Sequence, residues 1–279
     1  MKKLILFSFS LVAFWINPIS GQEEIQYGSN NGQYISIHNT QIYYEEYGKG
    51  TPLLMFHGGT GLIENYKQVI PELSDHFRVI AVDSPGHGRS EHPDTISYQL
   101  QADYFSEFID KMELDSVYII GWSDGGIFAL LLASDRPDKV KRVMISGSNI
   151  DHSAYTEAGM QWTSMFTPEY VEEHSKSKQA KDYEAKAYKG NNWSDFISDM
   201  AKMWAANPYV PIEKINKIKC KLLIVLGDRD SFIKIEHSVK MYRLIKGSEF
   251  LVLPNTGHMV FWDKPELITH IGIEFFNRN

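Results

Sequence analysis

Three side chains in this sequence have the types that acyl transfer requires, in the order expected when a nucleophile elbow sits mid-sheet: Ser123, then Asp230, then His258. A serine hydroxyl is a weak nucleophile at neutral pH. Attack on a carbonyl therefore needs a neutral imidazole, here His258, to take the hydroxyl proton and later return it to the leaving group. Asp230 would hold the ring in the right tautomer and stabilise the imidazolium that forms. The tetrahedral oxyanion needs donors already aimed at it. The backbone N–H groups of Asp124 and Gly59 fit that task, and losing one such donor costs about 3 kcal/mol.

These residues are useful only if the chain brings them to one edge, and the local patterns predict that it does. Residues 117–120 are a β-branched, apolar run suited to a buried strand, and Gly121-Trp122-Ser123-Asp124-Gly125 follows without a spacer. After this G-x-S-x-G pattern come helix formers from Ile127 to Ala133, closed by Arg136 and Pro137. Ser123 thus falls where a strand turns into a helix. Such a turn strains the nucleophile's backbone and demands small neighbours, which Gly121 and Gly125 supply.

Other strands end in equally polar turns. Residues 52–56 run into His57-Gly58-Gly59-Thr60-Gly61, and residues 78–82 into Asp83-Ser84-Pro85-Gly86-His87-Gly88-Arg89-Ser90. Residues 140–146 form a further strand. Residues 221–226 lead to Gly227-Asp228-Arg229-Asp230, and residues 249–253 to Pro254-Asn255-Thr256-Gly257-His258. Helical spacing over 64–73, 97–112, 236–246 and from Pro265 onward alternates with these strands, which implies an α/β fold with a mostly parallel sheet flanked by helices. A hairpin, 34–38 and 41–47 around Asn39-Thr40, precedes them. From 149 to 211 the strand rhythm stops. Trp193, Phe196, Ile197, Met200 and Trp204 recur on one helix face, and Tyr155, Trp162, Met165, Phe166 and Tyr170 lie nearby. This stretch reads as an inserted helical cap whose aromatic residues mostly dock it and partly roof the pocket over Ser123.

Several polar residues have plainer readings. Asp228 is a turn residue. His57 and His87 sit in glycine turns as structural donors. Asn192-Trp193-Ser194 fits a glycosylation acceptor but lies within a helical run. The remaining histidines show no His-Glu-x-x-His spacing, and the glycine loop matches no dinucleotide or phosphate fingerprint, so neither metal nor cofactor is indicated.

Five ordered motifs, HGGTG, DSPGHGRS, GWSDGG, GDRD and NTGH, make the chain resemble a serine hydrolase of the α/β-hydrolase superfamily over residues 34–278. The GWSDGG wording is similar to the valacyclovir hydrolase and biphenyl-hydrolase-like group. There the aspartate after the nucleophile is associated with the ammonium of amino-acid esters, which the resemblance carries to Asp124. A carboxylate at that position also compensates a helix N-terminus, worth about 0.3 to 1 kcal/mol. The resemblance implies hydrolysis of ester, thioester or amide bonds of a small molecule, with the acid at Asp230; in some relatives the acid follows the preceding strand instead, which makes Asp151 the competing position. Carbon–carbon bond hydrolysis, cofactor-free haloperoxidase-like chemistry and a slowly turning-over small-molecule receptor are the alternatives on this fold.

The net charge of −7, from 28 basic and 35 acidic residues, gives no cationic excess for nucleic acid. Lys2 and Lys3, an apolar run over 4–16 and Asn17-Pro18-Ile19-Ser20-Gly21 form the signature of a signal peptide, with an uncleaved anchor as the competing reading. The expected organisation is a signal peptide over 1–21, core over 22–148, cap over 149–211 and core again over 212–279. The product is then exported, periplasmic or secreted, without stable membrane association unless the leader is retained. The single cysteine, Cys220, rules out an intrachain disulfide. Oligomeric state is not legible.

Overall fold

The computed structural model describes residue 26 and residues 32–278, so the leader expected over 1–21 lies outside the described residues. Eight strands form one sheet: β1 (Gln33–Ile37), β2 (Thr40–Tyr47), β3 (Pro52–Phe56), β4 (Arg78–Val82), β5 (Val117–Trp122), β6 (Val140–Ser146), β7 (Lys221–Gly227) and β8 (Glu249–Leu253). Their spatial order is β1-β2-β4-β3-β5-β6-β7-β8. The β1–β2 and β2–β4 pairs are antiparallel, and every later pair is parallel. The inner strands are buried on both faces, which is why they read as continuous apolar runs rather than as alternation.

Helices α1 (Ile70–Ser74), α2 (Tyr98–Lys111) and α3 (Asp124–Asp135) precede the insertion, whose helices are α4 (Glu157–Ser164), α5 (Pro168–His174), α6 (Lys178–Lys186) and α7 (Trp193–Ala205). After it come α8 (Ile212–Ile215), α9 (Ile235–Leu244), α10 (Val260–Asp263) and α11 (Pro265–Asn277). One face of the sheet packs against α2, α3 and α9 through Phe105, Phe108, Leu130 and Met241. The other packs against α1 and α11 through Leu73, Ile268, Phe275 and Phe276. Helix α3 is buried from Asp124 to Ser134, and between its polar ends it is apolar on every side, Ile127 to Ala133, as a helix enclosed by other elements must be.

Local differences from the sequence reading have local causes. The hairpin turns at His38 and Asn39, both at positive φ (49° and 65°), one residue earlier than Asn39-Thr40. The helix expected over 64–73 is a 3-10 turn, Ile63–Tyr66, followed by α1, because Pro71 lacks the N–H to continue a helix through it. Asn192 caps α7 by accepting from the Asp195 N–H at 2.9 Å, so the amide of the glycosylation pattern is engaged in a helix start. Cys220 is partly buried just before β7, and burial pushes its thiol up to about 12.

Candidate active site

Ser123 sits between the last residue of β5 and the first of α3 at φ 54°, ψ −120°. A non-glycine residue held there costs on the order of 1–3 kcal/mol, which the surrounding bonds must offset. Its N–H donates to the Ser146 carbonyl of β6 at 2.8 Å, and its own carbonyl accepts from Gly126 N–H and the Ser148 hydroxyl, both at 2.9 Å. The flanking glycines are required by space. A Cβ on Gly125 would overlap the Phe56 carbonyl, and one on Gly121 would stand 2.5 Å from the Gly125 carbonyl.

Asp230 follows β7 and His258 follows β8, so the parallel sheet delivers both to the edge where Ser123 stands. His258 Nε2 is 3.1 Å from Ser123 Oγ. Its Nδ1 is 3.1 Å and 2.9 Å from the two Asp230 oxygens. The Asp230 side chain is only 1% exposed, and its Oδ1 also accepts the N–H groups of Phe232 (2.8 Å) and Ile233 (3.0 Å). A carboxylate so supplied accepts and does not donate, so Nδ1 carries the ring proton and Nε2 turns its lone pair to the serine hydroxyl. The backbone of His258 is fixed as well: its carbonyl accepts the Trp122 indole N–H at 2.9 Å.

Gly59 and Asp124 flank Ser123 in the same cavity. Asp124 is the first residue of α3, so its N–H has no acceptor within the helix. The Gly58–Gly59 peptide is held at its carbonyl, which accepts from His57 Nδ1 at 2.8 Å and from Gly61 N–H at 2.9 Å, leaving the Gly59 N–H at the other end of a fixed plane. His57 Nε2 accepts the Ser84 N–H at 2.9 Å, tying this loop to the turn after β4. The Asp124 carboxylate is buried and accepts from the Tyr98 hydroxyl and the Trp204 indole. Burial pushes its carboxyl up, and those two donors pull it partly back.

The cavity over Ser123 is about 230 Å³. Trp122, Tyr155, Trp162, Trp204, Phe232 and Ile233 form its walls, Asp124 is its one carboxylate and His258 its one imidazole among the described residues, and no lysine or arginine of the described residues lines it. Of the insertion's aromatic residues, Tyr155, Trp162 and Trp204 reach this cavity, whereas Trp193 and Phe196 pack in the core. A larger, open polar groove of about 510 Å³ runs between Glu91–Asp94 and the 188–202 segment, and Ser123 is not among its lining residues.

The competing residues are engaged elsewhere. Asp151 receives the Ser153 N–H at 2.9 Å and pairs with Lys240 at 2.6 Å. Burial opposes its ionisation, but the Lys240 and Ser153 bonds outweigh it and hold the carboxyl at about 2. Asp228 accepts from the Thr256 N–H of the turn after β8 at 3.2 Å. Among the described residues no group of three or more His, Cys, Asp or Glu side chains is placed to hold a metal ion, and no helix is long and apolar enough to cross a membrane.

His57 and His237 are both buried, and burial pushes each imidazole down to about 4. His237 Nε2 accepts the Ile150 N–H at 3.1 Å where the insertion begins. In the unfolded chain these rings protonate near 6.5, whereas the fold keeps them neutral until about 4. Stability is therefore full above pH 6.5 and is expected to fall between pH 6.5 and 4, by up to about 3 kcal/mol per ring. Urea midpoints measured across that range check this; constant midpoints would contradict it.

Residues 51–213 match the family model described as alpha/beta hydrolase fold. A 2-hydroxy-6-oxo-2,4-heptadienoate hydrolase of Pseudomonas putida is 28% identical over 233 residues, covering 76% of this chain and 84% of that protein. The human serine hydrolase BPHL is 25% identical over 240 residues, covering 80% and 79%. Among solved structures, the meta-cleavage product hydrolase CumD of Pseudomonas fluorescens superimposes with a TM-score of 0.73 at 22% identity, over 88% of this chain and 97% of that one.

Proposed function

We propose that this chain, which belongs to the alpha/beta hydrolase fold family, is a serine hydrolase that cleaves esters and related acyl bonds of small uncharged or cationic molecules. The observation that carries the reading is the relay from Asp230 through His258 to Ser123, with every contact at 3.1 Å or less. In this mechanism Ser123 Oγ bonds to the substrate carbonyl carbon while its proton passes to His258 Nε2. The oxyanion that develops is met by the N–H groups of Gly59 and Asp124. Collapse breaks the bond to the leaving group, which takes the proton from Nε2 and departs. Water, losing its proton to the same nitrogen, then releases the acid and restores Ser123.

The cavity lining supports an ester over a dienoate, the substrate in the name of the Pseudomonas putida relative. A dienoate brings its own carboxylate. Burying that charge beside Asp124, with no lysine or arginine on the lining, would cost several kcal/mol. A short p-nitrophenyl ester is therefore expected to exceed a 2-hydroxy-6-oxo-dienoate in kcat/KM by at least about 100-fold. Equal rates, or preference for the dienoate, would overturn the ester assignment. Labelling of Ser123 by a fluorophosphonate, together with multiple turnovers, separates an enzyme from a receptor that reacts once and stops. The leader-like residues 1–21 support export, which N-terminal sequencing of the mature protein near Gln22 tests.

A further inference from the structure

A buried polar network joins the insertion to the nucleophile turn. The Asp124 carboxylate, 6% exposed, accepts the Tyr98 hydroxyl on one oxygen at 2.9 Å and the Trp204 indole N–H on the other at 2.7 Å. Tyr98 opens α2 in the core, whereas Trp204 lies at the end of α7 in the insertion. The Trp204 carbonyl is itself held, accepting the Tyr209 hydroxyl at 2.7 Å with His152 Nε2 at 3.0 Å. Tyr209 in turn reaches the Tyr155 hydroxyl at 3.0 Å, so the segments entering and leaving the insertion converge on this tryptophan.

The same pair presses on the oxyanion loop. A Cβ on Gly59 would overlap the Asp124 carboxylate and stand 3.0 Å from Trp204 Cζ2. One candidate oxyanion donor is thus the N–H of the residue against which the pair lies, and the other is the N–H of Asp124 itself.

We propose that the Asp124–Trp204 hydrogen bond is a latch that fixes the helical insertion against both oxyanion donors, making Trp204 a positioning residue for acyl transfer. In this role Asp124 serves the cap and is not the counter-ion of a substrate ammonium. Each carboxylate oxygen already carries a neutral donor, and an incoming ammonium would have to share or displace one in a buried site. The inference rests on the reading of Ser123 as the acyl-transfer nucleophile.

The test measures kcat and KM on p-nitrophenyl butyrate and on a p-nitrophenyl aminoacyl ester for wild type, Trp204→Phe, Asp124→Ala and Asp124→Asn. Fluorophosphonate labelling and thermal midpoints accompany each variant. Trp204→Phe keeps a ring and removes the N–H; Asp124→Ala removes the acceptor. Each is expected to lower kcat on both esters by about 10- to 100-fold, with KM changed less than about threefold, because misplaced oxyanion donors act on the transition state. The double variant Trp204→Phe/Asp124→Ala should be no worse than the weaker single variant. Asp124→Asn should recover most of the loss on both esters, since its carbonyl can accept from Trp204 while the Tyr98 hydroxyl turns to accept from the amide. Trp204→Phe within twofold of wild type would overturn the latch. So would Asp124→Asn failing selectively on the aminoacyl ester, which assigns an ammonium subsite, or failing on both as badly as Asp124→Ala. Should Trp204→Phe not fold, the alanine and asparagine variants decide alone. Absence of labelling and turnover in wild type would instead remove the hydrolase reading beneath it.

Discussion

Replacing Ser123 with alanine is expected to lower kcat on a neutral ester by about a million-fold and to abolish covalent labelling by a fluorophosphonate. The magnitude follows from what the change removes. Ser123 Oγ stands 3.1 Å from His258 Nε2, so in the proposed mechanism its loss leaves a base with no nucleophile to activate. Loss of the triad as a working unit still leaves the oxyanion donors and the pocket, which keep a residual advantage of about 10³-fold over water. Alanine also relieves nothing in the backbone, because the turn is set by the bonds to Ser146, Gly126 and Ser148 and by the space at Gly121 and Gly125. The variant should therefore fold as wild type does, and the loss should appear in kcat with substrate binding nearly intact. Activity above a tenth of wild type, in protein shown free of contamination, would place the nucleophile elsewhere.

What could be read from the sequence divides by distance along the chain. The turn at Ser123 was legible because its demands are local: an apolar strand, a strained residue and small neighbours all fall within ten residues of it. The ends of β7 and β8 were legible for a related reason, since a parallel sheet sends the turns after its strands to one edge and so brings Asp230 and His258 together. Residues acting across the fold were not. Trp122 holds the His258 carbonyl, and Tyr98 and Trp204 share the Asp124 carboxylate, yet nothing in their immediate neighbours marks those contacts. The insertion's aromatic stripe announced a buried face but not which members would reach the cavity: Trp204 does, while Trp193 on the same helix is buried in the core. Pro71 in the middle of a helical pattern was a visible reason to end the first segment before it.

Asp230→Asn is expected to lower kcat by about 10⁴-fold while leaving the fold intact, and the hydrogen bonds around the residue explain why so conservative a change should cost so much. Oδ1 accepts two backbone N–H groups, those of Phe232 and Ile233. An asparagine must keep its carbonyl oxygen there, because an amide NH₂ would face two donors. Its NH₂ then takes the place of Oδ2, 2.9 Å from His258 Nδ1, and donates to that nitrogen. Nδ1 is turned into an acceptor, the ring proton moves to Nε2, and a donor now faces Ser123 Oγ where a lone pair is needed. Raising the pH cannot repair this, since the wrong tautomer is already neutral. Asp151→Asn provides the contrast: it loses the Lys240 pair near the start of the insertion, and kcat should stay within about threefold because His258 keeps its partner. A large loss in Asp151→Asn with a small one in Asp230→Asn would exchange the roles of the two acids.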